Sequence, residues 1–166
     1  MEEQINMILK FVYTLFTAVL FAALVGFGIA AFYMSPIDPE YPSELKVTRP
    51  EERVSESVFN QLKSKQEQYD KDFKSFQEQM KTYNRNVALI AITASITTLF
   101  ISLTLFRKIL LIADGLLLGG VLTLIYSIIR GIASGNDKFR FIIVAVGFII
   151  ALLLGYIKLV KTKTFR

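Results

Sequence analysis

Apolar positions along this chain follow two different patterns. A continuous apolar run from Met7 to Met34 gives way to a polar segment in which apolar residues recur at alternating steps of three and four, and continuous apolar runs then resume. The recurring positions begin Phe59, Leu62, Gln66, Tyr69 and Phe73, and continue Phe76, Met80, Tyr83, Val87 and Ile90. Alternation of three and four is a heptad a/d seam, the pattern of helices wound left-handedly around one another with their seams buried. It predicts one long helix whose polar part, residues 50–85, is a coiled-coil stalk continuous with a membrane span starting at Asn86. Thr48-Arg49-Pro50-Glu51 supplies a capping box with proline in the first turn. Neither proline nor glycine occurs between Pro50 and Gly115, so no local signal stops the helix. At 1.5 Å per residue the polar part is roughly 50 Å long.

Off the seam the stalk is charged. Lys63/Glu67, Glu67/Lys71, Asp70/Lys74 and Lys74/Glu78 stand at i,i+4 and are expected to pair weakly and hold that face in water. A lone helix displaying Tyr69, Phe73, Phe76 and Tyr83 would aggregate, which favours self-association. Aromatic a and d positions fit a dimer core poorly, so a trimer, tetramer or larger assembly is expected. The competing reading covers the seam within one chain, by residues 35–49.

The continuous apolar runs are long enough to cross a bilayer. Residues 1–34 form an N-terminal tail and first span, and Ser35 to Arg49, with Pro36, Pro39 and Pro42, form a connector that straps the first span to the stalk. Residues 86–166 hold the second span to Phe106, a third from Ile109 to Ile129, a fourth from Phe141 to Ile157, and a basic tail. The expected fold is an all-α integral membrane protein with four transmembrane helices. Within the third run Asp114 either lies at the headgroups in a turn spanning 107–115, the reading preferred because an intramembrane carboxylate is costly, or sits inside the span as an intramembrane acid. Gly115, Gly119 and Gly120 predict close helix packing, and residues 130–140 a loop.

Composition removes whole classes of function. The chain is 53% hydrophobic and contains neither cysteine nor histidine. The usual zinc, haem and iron–sulfur ligand sets are therefore missing, as are thiol and imidazole catalysis, and no cofactor, metal or enzymatic activity is expected. Glu2, Glu3 and the length of the first run argue against a cleaved signal peptide. Four spans place both termini on one side, with 7 Lys and Arg, and the stalk on the other, with 12. The excess leans towards a cytoplasmic stalk on a multi-pass cell-membrane protein, against the dense basic C-terminal tail.

Two surfaces carry candidate chemistry. The seam extends into the second span through Ala94, Thr97, Ile101 and Thr104, with Asn86 and Thr93 on an adjoining line. If it faces a symmetry axis, Asn86, Ile90, Thr93, Ala94, Thr97, Ile101 and Thr104 line a narrow pore. The competing account has the hydroxyls bond their own helix and hold neighbouring helices together. On the stalk, Lys63, Lys71, Lys74, Lys81 and Arg85 fall on one side of the helix and suit an anionic ligand such as a nucleotide or single-stranded nucleic acid, though the acids among them suit a solvated face better.

The resulting expectation is a homo-oligomeric pore in the lipid bilayer, opened through its stalk by a ligand or a stalk-binding protein. Small four-span proteins with a coiled-coil domain occur among bacterial membrane effectors, including those of anti-phage defence, an analogy of fold only. The alternative is a non-conducting anchor or adaptor that docks another protein through its stalk.

Overall fold

The first apolar run is helical from Glu2 to Phe32 (α1), and Tyr33 adds a last turn through Tyr33 N–H donating to Ile29 O at 2.8 Å. The structure, a computed structural model, describes residues 2–47, 56–104 and 109–157. After α1 the three prolines keep residues 34–42 out of regular structure. Ser43–Val47 forms one short helix (α2), which the prolines upstream permit. The capping sequence at 48–51 lies outside the described residues, as do Arg107, Lys108 and the basic tail.

From Glu56 to Thr104 the chain is a single 49-residue helix (α3), so the stalk and the second span are one element. Leu110–Ala133 forms α4 and Asp137–Gly155 forms α5. No strand occurs among the described residues. Within them, four helices (α1, α3, α4 and α5) are long and apolar enough to cross a membrane. The fold is that of an all-α membrane protein.

Two boundaries differ from expectation. The predicted 107–115 turn is shorter, because α4 is helical from Leu110 and Asp114 lies inside it, half-buried. Leu110 to Ala113 are good helix formers, and Ala113 N–H donates to Ile109 O at 3.0 Å, closing that turn as helix. The 130–140 loop shrinks to residues 134–136. Gly135 turns the chain with φ at 69°, a conformation glycine adopts without strain, and the Asn136 side chain then caps α5 by accepting from Phe139 N–H at 3.1 Å.

The chain divides into two compact units, Met1–Met34 with Asn84–Arg166, and Ser35–Tyr83. In the first unit α4 is the central helix, and glycines set its contacts. A methyl group added at Gly115 would meet Thr17 of α1 at 2.9 Å, one at Gly119 would meet Phe21 of α1 at 3.1 Å, one at Gly120 would meet Leu99 of α3 at 2.8 Å, and one at Gly131 would meet Ile143 of α5 at 2.7 Å. The expected close packing at Gly115, Gly119 and Gly120 therefore occurs inside one chain. Ala88, Ile92, Leu124 and Ile143 form a small core shared by α3, α4 and α5.

In the second unit the connector lies on the stalk part of α3. The Tyr41 ring meets the Tyr69 ring, Tyr69 stacks with Phe73 at 5.8 Å, and Phe73 tilts onto Phe76 at 6.2 Å. Lys65 Nζ donates to Glu44 Oε1 at 2.6 Å, and Lys46 stands over the Tyr41 ring. Lys65 holds the Glu44 carboxyl below its ordinary range, first through that hydrogen bond and also through its charge. The seam residues Leu62, Tyr69, Phe73, Phe76 and Met80 are half-buried and Tyr83 is buried, whereas Phe59 and Gln66 are exposed. The connector thus meets part of the seam within one chain. None of the four i,i+4 charge pairs expected on the stalk closes to ion-pair distance; their side chains stay in solvent, where such a pair gains only tenths of a kcal/mol.

Candidate functional site

The membrane part of α3 has two unlike faces. One packs on α4: Val87, Ala88, Ala91, Ser95, Leu99 and Ser102 are buried, most of them completely. The hydroxyls on this face are short and reach across. Ser95 donates to Gly120 O at 2.8 Å and Ser102 to Ala113 O at 2.6 Å, while Ser127 of α4 donates back to Ala88 O at 2.8 Å. These three bonds tie the helices along their common length, and each satisfies a hydroxyl that lipid could not.

The opposite face is open. Leu89, Ile90, Thr93, Ala94, Thr97 and Thr98 line a concavity of about 670 Å³ open to the outside. Its threonines bond within their own helix. Thr93 donates to Leu89 O and Thr97 to Thr93 O, both at 2.8 Å, and further along Thr104 donates to Phe100 O at 2.7 Å. The two accounts of the hydroxyls thus divide between residue types, serines joining helices and threonines bonding back.

The predicted pore-lining set does not share one environment. Ile90, Thr93, Thr97 and Thr104 are exposed; Ala94, Ile101 and Asn86 are half-buried. The a/d line that supplied most of that set is buried at Tyr83 and Val87 and exposed at Ile90, Thr97 and Thr104. A straight α-helix drifts by about 20° per heptad against a strict seven-residue repeat, so the line migrates from the packed face towards the open one. Thr93 stands nearer the middle of the open face than the seam residues do.

At the start of the span, two hydrogen bonds tie α3 to its neighbours that the heptad pattern does not reveal. Asn86 Nδ2 donates to the Tyr33 hydroxyl at 2.8 Å, and Arg130 donates from one guanidinium nitrogen to Asn84 Oδ1 at 2.9 Å and from Nε to the Tyr126 hydroxyl at 3.1 Å. Arg130 also lies over the Tyr126 ring. The available signal was compositional: an arginine closing an apolar run, two asparagines flanking Arg85, and tyrosines at helix ends, where membrane interfaces collect them.

The remaining candidates stay apart. Lys63, Lys71, Lys74, Lys81 and Arg85 are all exposed and form no ion pair among the described residues. Asp114 sits on α4 beside Gly115, whose neighbour is α1, and α4 carries no second carboxylate. No group of three potential metal ligands occurs among the described residues. No family model, curated protein or solved structure matches the chain.

Proposed function

We propose that this protein is a homo-oligomeric membrane pore lined by the open face of α3 and controlled by the stalk. The observation that carries the proposal is the contrast between outward faces. On α1 and α5 the exposed side chains are bulky and apolar, such as Phe16, Leu24, Phe27, Phe141, Phe148 and Leu152, and suit lipid tails. On α3 the open face is concave around Thr93 and Thr97, and with Thr104 further along it sets exposed threonines among the apolar Leu89, Ile90, Ile96 and Phe100. Copies of α3 arranged about an axis would turn that face inward and leave the apolar faces of the other helices to the bilayer. Because the same helix carries the stalk, a change in stalk winding reaches the lining without a joint, and a partner that favours one stalk state biases opening. The connector seated on Tyr69 supplies one such state.

The test uses the absence of native cysteine. Thr97→Cys and Phe148→Cys proteins are oxidised in the membrane, and the same preparations are reconstituted for ion-flux measurements. Disulfide-linked dimers at 97 but not at 148, together with flux that falls on oxidation, support the pore. Linkage at 97 without flux supports the alternative of a non-conducting anchor whose α3 helices close tightly on one another. Linkage at neither position removes the α3 axis altogether.

A further inference from the structure

We propose that the lining selects small monovalent cations over anions and over divalent cations. This deepens the pore reading and rests on it. A hydroxyl has one proton to give and two lone pairs to receive with. On the open face of α3 that proton is already committed. Thr93, Thr97 and Thr104 each donate to a carbonyl of their own helix, at 2.8, 2.8 and 2.7 Å, so each can offer an ion only acceptor oxygen. At the start of the span the Asn86 amide nitrogen is turned to Tyr33, leaving Oδ1 without a partner among the described residues.

An anion passing through a narrow lining needs N–H or O–H donors or a fixed positive charge. Residues 86–104 contain no Lys or Arg, and the threonine donors are spent. A cation needs oxygens that replace its water, which this face provides in layers: Thr93 to Thr97 is about 6 Å along the axis and Thr97 to Thr104 about 10 Å, at 1.5 Å per residue. The same residues contain no Asp or Glu. Divalent cations hold their hydration tightly and are taken from water by carboxylates, so a ring of neutral oxygens passes them poorly. Ile90 and Phe100 interrupt the layers with apolar side chains, which shortens the polar path without adding a donor. Arg85 precedes Asn86 but lies about 100° round the helix from it, exposed, where salt screens its charge within about 8 Å.

The experiment is a reversal-potential measurement on the full chain in planar bilayers under a potassium chloride gradient, with oligomer formation verified in the same preparation by cross-linking. The expected result is reversal on the potassium side, with calcium carrying far less current than potassium. Thr93→Val/Thr97→Val, which keeps the shape and removes the oxygens, should lower the potassium-to-chloride permeability ratio several-fold. Thr123→Val, at a buried hydroxyl of α4, should leave the ratio unchanged and reports any general effect of losing a hydroxyl. Reversal on the chloride side, or a ratio indifferent to the paired valines, overturns the selectivity while leaving the pore standing. An assembled oligomer that passes no current overturns the pore and this inference with it.

Discussion

The Tyr41 ring meets the Tyr69 ring edge-on, with centroids 5.0 Å apart and planes at 77°. Tyr69 belongs to the heptad face of the stalk, so in the proposed oligomer a neighbouring copy would have to compete with the connector for the same aromatic surface. Edge-to-face pairs contribute about 0.5–1.5 kcal/mol beyond the area they bury, enough to bias such a competition without deciding it outright.

Replacing Tyr41 by alanine should therefore loosen the connector and free the stalk face. Limited proteolysis in detergent is expected to cut residues 34–42 faster in Tyr41→Ala than in the parent chain, and chemical cross-linking to show more oligomer. Faster cutting with unchanged oligomer would mean that the Tyr69 face does not carry association between copies.

Acid should loosen the same contact. The Glu44 carboxyl is held below its ordinary value of 4.5 by Lys65, so the folded form binds its proton less readily than the unfolded chain does. The contribution is complete above about pH 4.5 and disappears as pH falls through the lowered folded value. Hydrogen exchange of residues 43–47, followed from neutral pH downward after correction for the intrinsic rate, should show protection lost in that range. Glu44→Gln should be less protected at neutral pH and lose the dependence. Both partners are half exposed, so added salt should weaken the effect in the parent chain.

Glycines in the bundle divide into two classes with opposite expectations. Gly120→Val drives new atoms into Leu99, whose Cδ2 would lie 2.8 Å from the added Cβ, and should destabilise by about 1–3 kcal/mol. Gly28→Ala meets nothing within 4 Å and should stabilise α1, by up to about 1 kcal/mol. Thermal unfolding in one detergent compares the two directly; a destabilised Gly28→Ala would reveal a neighbour at that face in the assembled protein.

Arg130→Met removes the donor from Asn84 Oδ1, in a residue that is 7% exposed, and should cost about 1–3 kcal/mol. Adding Asn84→Leu should restore part of the loss, because an apolar side chain leaves no carbonyl to satisfy. Strictly additive losses in thermal unfolding would show that the two residues act independently.

What was legible in the sequence was local. The four spans and the long α3 follow from uninterrupted apolar runs, steps of three and four, and the lack of proline and glycine between Pro50 and Gly115, all readable within a window. The faces of α3 were not legible in the same way. Six hydroxyls are scattered around its span, and only the placement of α4 separates Ser95 and Ser102, which bond across, from Thr93 and Thr97, which bond back. Tyr83 and Val87 on the heptad line are buried within one chain, which the line alone does not reveal, since a repeat describes a helix's own surface and is silent on which neighbour arrives. Arg130 and Asn84 are 46 residues apart and carry no shared pattern. Asp114 was drawn into a turn by the cost of its charge, whereas the leucines and isoleucine before it determine the backbone.

The glycines of α4 also constrain how the protein is made. Gly115 and Gly119 meet α1, Gly120 meets α3 and Gly131 meets α5, so α4 offers each neighbour a place where backbones approach closely. In a chain made from its N-terminus α1 and α3 precede α4, and in that interval Ser95 and Ser102 have no α4 carbonyl across from them. The arrival of α4 supplies both acceptors at once, Gly120 O for Ser95 and Ala113 O for Ser102, so a single later helix completes the polar side of the α3 surface.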